Sequence, residues 1–89
     1  ALYGLTAALY AAITFSEGRV EQGNFDTYPP LRIDEAPHVE THIVPSAEAP
    51  GGIGEAATSA VFPAVTNAIF AATAKRIRTL PINPEDLKA

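Results

Sequence analysis

The sequence contains no cysteine, which excludes a disulfide framework, a thiolate metal site and iron-sulfur ligation by these residues. Any redox centre must be held by other protein. Basic residues are few: six Lys and Arg against ten Asp and Glu give a net charge of -4, whereas a phosphate backbone requires clustered cations. The one cluster, Lys75, Arg76 and Arg78, is too short to change that, so no nucleic-acid partner is expected. Long apolar runs are scarce too. The stretch 1–15 is broken by Gly4, Thr6 and Thr14 and falls short of the about 18 to 20 apolar residues a membrane span needs. It also lacks the charged start and cleavage pattern of a signal peptide. The expectation is no direct membrane span.

An 89-residue chain is at most one small domain, and such a domain buries only roughly two-thirds of the surface its unfolded chain exposes. A pocket for a large cofactor would consume much of that core. Ala1 opens inside an apolar helical pattern with no capping residue before it, so the chain reads as a processed or excised piece of a larger protein.

The pattern along the chain is α+β. Leu2, Leu5, Ala8, Leu9, Ala12 and Ile13 recur at helical spacing, predicting a buried helix over 1–12 in which Gly4 suits close packing against a neighbour. The runs 13–15 and 19–22 flank Ser16-Glu17-Gly18, a β-hairpin with a three-residue loop. Pro29, Pro30 and Pro37 make 24–37 an extended, ordered loop. Val39, Thr41 and Ile43 alternate with polar neighbours, which predicts a half-buried strand over 38–44, ended by Pro45. Pro50, Gly51, Gly52 and Gly54 then demand turns that side chains would obstruct.

A second helix should start near 58–62, capped by Thr58 or Ser59, with Pro63 in its first turn. Val61, Val65, Ala68, Ile69 and Ala72 form its stripe, and it should run to about Lys75, where Lys75, Arg76 and Arg78 favour its C-terminal end. A last short strand over 77–82 and a polar tail over 83–89 complete the order. The aromatic residues, spread over several elements without a basic groove, read as core.

Taken alone, Gly51-Gly52-Ile53-Gly54-Glu55 is a glycine-rich turn before a helix, able to expose backbone N–H groups to an anion or to be merely structural. It lacks the Lys and Ser or Thr of a nucleotide P-loop and the spacing of a dinucleotide fingerprint. Glu55 projects a single carboxylate from the end of that turn, as a general base would, or else satisfies N–H groups at the helix start. His38 and His42, on a strand, stand about 13 Å apart and would not share a metal. Arg32, Asp34 and Glu35 could form a local ion pair or touch a partner. Nothing joins Ser16, Ser46 or Ser59 to a histidine, so hydrolase chemistry is unsupported.

Several segments together carry a resemblance: Tyr3-Gly4-Leu5-Thr6-Ala7-Ala8-Leu9-Tyr10, Gly18-Arg19-Val20-Glu21-Gln22-Gly23-Asn24-Phe25, Tyr28-Pro29-Pro30-Leu31-Arg32, Asp34-Glu35-Ala36-Pro37, His42-Ile43-Val44-Pro45-Ser46, Pro50-Gly51-Gly52-Ile53-Gly54-Glu55 and Asn67-Ala68-Ile69-Phe70-Ala71-Ala72-Thr73. In this order they resemble the C-terminal part of the large, molybdopterin-binding subunits of the xanthine dehydrogenase and aldehyde oxidase family, most of all its branch of isoquinoline 1-oxidoreductase beta chains and bacterial aldehyde dehydrogenases. The resemblance implies that 1–82 is part of a larger molybdenum-binding domain. It implies a molybdenum-molybdopterin cofactor, in the cytosine dinucleotide form, and oxidation of an aldehyde or N-heterocycle with water as oxygen source. Glu55 would be the base that takes the proton of the metal-bound hydroxyl, Gly51, Gly52 and Gly54 would allow close approach to the cofactor, and no residue here would ligate the metal.

The implied partners are the rest of the large subunit, a small subunit carrying 2Fe-2S clusters, a cytochrome c subunit and a small-molecule substrate. The implied compartment is the bacterial periplasm, with membrane association through a partner, or else the cytoplasm. Family members often follow the glutamate with proline and glycine, where this chain has Ala56-Ala57-Thr58-Ser59-Ala60, so a less rigid or differently folded backbone is expected there. Two other readings stand beside this one: a non-catalytic segment that completes a fold and docks an iron-sulfur subunit through 24–37, and a free-standing anion-binding module.

Overall fold

In a computed structural model, which describes residues 1–88, two helices in contact form the centre of the packed part of the molecule. The first, α1, spans Leu2–Tyr10, where leucine and alanine are strong helix formers. It stops before the β-branched Ile13 and Thr14. The second, α2, spans Ala56–Thr73. The helices meet at Gly4, where an added Cβ would stand 2.5 Å from Val61 Cγ1 and 2.7 Å from the Thr58 carbonyl oxygen. Any larger residue there would push the helices apart, in line with the close packing expected at Gly4.

The C-terminal segment seals this pair. The Ile82 N–H donates to the Ala8 carbonyl at 2.8 Å, satisfying one of the acceptors that the last turn of a helix leaves without a partner. Ile77 and Ile82 are buried beside fully buried Ala8, each aliphatic side chain stabilising the contact by about 1.5–3 kcal/mol. The segment 77–82 is not the expected strand: its one backbone bond is to a helix, and among the described residues no strand edge lies beside it. Within the tail, Pro84–Leu87 forms a 3-10 turn whose Glu85 N–H donates to Asn83 Oδ1 at 3.1 Å. Ala89, the last residue of the predicted tail, lies outside the described residues.

A hairpin follows α1, with β1 at Phe15–Ser16 and β2 at Arg19–Val20, paired antiparallel. Its loop is two residues, not three. Glu17 and Gly18 both adopt positive φ, 50° and 74°, the backbone of a turn whose twist matches paired strands, and so Ser16 joins the ladder opposite Arg19. Gln22 extends the hairpin through its side chain, accepting from Thr14 N–H at 2.9 Å and donating to Thr14 Oγ1 at 2.8 Å.

Helix α2 departs from expectation at both ends. It begins at Ala56, because Ala56, Ala57 and Ala60 favour helix, so the stretch that departs from the family pattern is its first turn. Pro63 therefore lies seven residues inside it, where it deprives the Ser59 carbonyl of a helical donor. Thr58 and Ser59 are not caps; the Ser59 hydroxyl donates back to the Ala56 carbonyl at 3.2 Å. The helix ends at Thr73, with Ala74 in the left-handed region at φ 59°. Arg76 lies beyond it, over the Phe70 ring at 4.0 Å and bonded to Asn67 Oδ1 at 2.6 Å. The half-buried face is Thr58, Val61, Phe62, Val65, Thr66 and Ile69, leaving Ala68 and Ala72 outside it.

No strand forms over 38–44, which is exposed and unpaired among the described residues. A strand exists only where its N–H and C=O groups meet a neighbouring edge, and the described residues offer none there. Nor are the aromatic residues core: Tyr3, Phe15, Phe25, Tyr28 and Phe70 are exposed. The radius of gyration is 16.3 Å, against about 12 Å for a compact chain of this length, and the accessible surface is 7373 Å², against about 5000 Å². Too little of the chain faces the rest of itself to bury its aromatic rings.

The expectation about membranes considered only 1–15. Helix α2 is long and apolar enough to cross a membrane by length and composition. Its contact with α1 through Gly4 shows one side used for protein packing.

Candidate functional site

The glycine-rich segment leads directly into α2. Glu55 takes the N-cap position, with φ -110° and ψ -4°, and its carbonyl accepts the Thr58 N–H at 2.9 Å. Its side chain makes no capping hydrogen bond. The bland alternative, a carboxylate occupied in satisfying the helix start, is therefore not what the structure has. Glu55 is an exposed acid at the positive end of an 18-residue helix, with its oxygens uncommitted among the described residues.

The three glycines beside it carry no positive φ; among glycines only Gly18 does. A Cβ added at Gly51, Gly52 or Gly54 would meet nothing within 4 Å. This corrects the expectation that side chains would obstruct these turns: within this chain there is nothing to obstruct. What the glycines provide is a bare stretch of backbone leading to Glu55. The clefts lined by Lys75, Arg76 and Arg78 and by Leu2, Tyr3 and Ile33 lie on other surfaces and include neither Glu55 nor these glycines.

His38 and His42 are both exposed, and their Nε2 atoms lie 3.7 and 3.5 Å from the two oxygens of Glu40. Sequence reasoning paired the two histidines without the glutamate between them. The signal was available in the alternation, since residues 38, 40 and 42 of an extended segment share one face.

Between the prolines, Glu35 forms no ion pair with Arg32 side-chain atoms among the described residues. Its carboxylate accepts from the Tyr10 hydroxyl and, at 2.8 Å, from the Arg32 N–H. The Tyr10 bond, then the Arg32 backbone bond, hold the Glu35 carboxyl below its ordinary range, and the same carboxylate pushes the Tyr10 phenol up. Leu31 N–H donates to Thr6 Oγ1 at 3.1 Å. Together these bonds fasten the loop to α1 and hold the 3-10 turn Ile33–Glu35 with Ile33 96% exposed at its tip. Nothing in the local sequence announced Tyr10, which lies 25 residues from its partner.

Three curated bacterial proteins are similar to the chain over most of its length. A protein named membrane-bound aldehyde dehydrogenase (pyrroloquinoline-quinone), from Gluconacetobacter polyoxogenes, is 40% identical over 87 residues, 98% of this chain. The beta chain of isoquinoline 1-oxidoreductase from Brevundimonas diminuta is 30% identical over 83 residues, 93% of the chain. The B component of nicotinate dehydrogenase from Pseudomonas putida is 37% identical over 78 residues, 86% of the chain. The chain spans 11%, 11% and 7% of the lengths of these relatives. No family model matches it, and no solved structure does.

Proposed function

We propose that this chain, which belongs to the large-subunit family of xanthine dehydrogenases and aldehyde oxidases, is the part of such a subunit that brings a general base, Glu55, to the reacting centre. The observation that carries the reading is the uncommitted Glu55 carboxylate at the end of a bare glycine backbone, in a chain whose relatives are oxidoreductase subunits. The family implies a molybdenum cofactor. The residues here fit contact with such a group: they offer open backbone and a free base.

Bound in the full subunit, the cofactor, in its cytosine dinucleotide form, supplies the oxygen-transfer and electron-accepting chemistry that oxidises an aldehyde or N-heterocycle. Glu55 takes up at its carboxylate the proton released as water-derived oxygen bonds to the substrate carbon. Gly51, Gly52 and Gly54 keep Cβ atoms out of the path by which the cofactor nears the backbone. The partners this reading calls for are a small subunit whose 2Fe-2S clusters would accept the electrons and a cytochrome c subunit beyond it, in an assembly of the bacterial periplasm. One relative's name includes "membrane-bound", in keeping with membrane association of that assembly.

The same relative's name assigns pyrroloquinoline quinone to that protein, and a free carboxylate could serve as base beside a quinone as well. One experiment separates the possibilities. In the assembled enzyme, Glu55→Gln should lower kcat by about a hundredfold to ten-thousandfold, while molybdenum content and subunit composition stay as in the wild type. Retained turnover sinks the role of Glu55. An active enzyme free of molybdenum and yielding an extractable quinone sinks the cofactor.

A second reading is favoured by the loop 24–37, which is fastened to α1 and displays Ile33. In it the chain completes the fold and docks the iron-sulfur subunit through that loop, with no chemistry of its own. Turnover would then survive Glu55→Gln.

A further inference from the structure

Beyond the C-terminal end of α2 lies a cleft that gathers half of the chain's cations. Lys75, Arg76 and Arg78 line it with Ile77, Thr79 and Asp86, out of six Lys and Arg in the whole sequence. None of the three makes an ion pair among the described residues. Lys75 Nζ donates to the Lys88 carbonyl and Arg76 to the neutral Asn67 Oδ1, with its guanidinium over the Phe70 ring. Among the same residues, the backbone N–H groups of 76–79 and the Thr79 hydroxyl have no acceptor. Three cations less the Asp86 carboxylate leave the cleft two positive charges. Its wall is anchored in the packed half of the molecule, since Ile77 and Ile82 are buried and the Ile82 N–H is bonded to the Ala8 carbonyl. The cations are thus held close together in advance, which lowers the ordering cost of binding.

We infer that this cleft binds the phosphate group of a small molecule, with Lys75 and Arg78 as its ionic partners and N–H groups of 76–79 as further donors. A phosphate group brings three acceptor oxygens and nearly two negative charges, which matches a donor-rich cleft of charge +2 better than the single charge of a carboxylate does. Guanidinium and ammonium groups bind such oxygens by short, charge-assisted hydrogen bonds. The net charge of -4 opposes the approach of a long polyanion, so the ligand is small. A volume of about 460 Å³ leaves room for the rest of the molecule that carries the phosphate, within the roughly 300–1,000 Å³ of small-molecule sites. The 18 residues of α2 put about 27 Å between this cleft and Glu55. The site is therefore separate from the proposed reacting centre, and the inference does not depend on the role of Glu55.

Hydrogen exchange on the full-length subunit, with inorganic phosphate as the probe and chloride holding ionic strength constant, reads the site without any measurement of turnover. At about ten times the half-saturating phosphate concentration, amides 76–79 should exchange about tenfold more slowly, and those of 31–36 should not change. Arg78→Gln should raise the half-saturating concentration about tenfold or more. Arg19→Gln removes the same charge from the hairpin and should leave it unaltered. Amides 76–79 that ignore phosphate would overturn the inference. So would equal slowing by acetate, which would make the cleft a seat for a carboxylate, and so would full protection before phosphate is added, which would mean that protein already covers it. An equal loss in Arg19→Gln would reduce the effect to net charge and overturn the site as well. Should Arg78→Gln not fold, the comparison of phosphate with acetate on the wild type decides alone.

Discussion

Gly4 and the glycines at 51, 52 and 54 are the same residue in opposite surroundings. At Gly4 the missing side chain is explained within the chain, since a Cβ would collide with Val61 and Thr58 of the neighbouring helix. At the other three a Cβ would touch nothing and φ makes no demand. Gly23 is equally open; what sets 51, 52 and 54 apart is that they lead to the uncommitted Glu55 carboxylate, the juxtaposition on which the proposed function rests. The molecule thus has a half that explains itself, α1 with α2 and 77–82, and a half, 38–55, that is exposed throughout and that the proposed function sets against the rest of a larger subunit.

The sharpest way to break this contrast is to add a methyl group to each side of it. Gly4→Ala should lower the free energy for local opening of α1, read by native-state hydrogen exchange in the full subunit, by about 1–3 kcal/mol. Paired Gly51→Ala and Gly52→Ala should leave that opening energy unchanged and instead reduce molybdenum content and turnover together. If the paired variant destabilised α1, or if it left cofactor content untouched, the division between the two halves would fail.

How much was legible follows the same division. The α1 helix, Gly4 and the hairpin rest on local patterns and neighbours close in sequence, and the structure has them with ends shifted by a residue or two. Pro63 was misplaced because the alanines before it let the helix start early, a propensity effect that outweighed the preference of proline for a first turn. The strands expected at 38–44 and 77–82 do not form among the described residues, because alternation describes faces while a ladder needs an edge, and those residues have none to offer. The buried aromatic core failed likewise, since Phe15 and Phe25 have nothing in the chain to lie against. The Tyr10–Glu35 bond was illegible because it joins residues 25 apart. Glu55 was singled out by resemblance and by the turn before it; what the structure added was that no capping bond occupies its side chain.

Within the self-explaining half, one position is poorly served. Ala74 ends α2 at φ 59°, a left-handed conformation in which Cβ crowds the following carbonyl and which glycine adopts without penalty. Ala74→Gly should therefore stabilise α2 by about 0.5–1 kcal/mol, after allowing for the greater freedom of glycine in the unfolded chain. Slower exchange of the amides at 70–73 would show it. A loss of protection there would mean that Ala74 is held by contacts outside the helix end.

The smallest expected effect lies at the seam between the halves, where Glu35 and Tyr10 fasten the loop to α1. The Tyr10 hydroxyl and the Arg32 N–H hold the Glu35 carboxyl low, so the fastening is fully present above the ordinary carboxylate range and is lost as pH falls through the lowered value. The Tyr10 phenol is pushed up by the same carboxylate; its contribution is present below about pH 10 and is lost as pH rises through the raised value. Protection of the amides at 31–36, corrected for intrinsic exchange, should therefore show a plateau between an acid and an alkaline limb. Both groups are exposed, so salt should flatten the limbs. Tyr10→Phe removes the donor and should abolish the alkaline limb and reduce the acid one, which the Arg32 N–H bond to Glu35 still supports, while leaving the Leu31 bond to Thr6. If the acid limb were undiminished in that variant, the Tyr10 bond would contribute nothing to the fastening, and the seam would be held by the Glu35 turn alone.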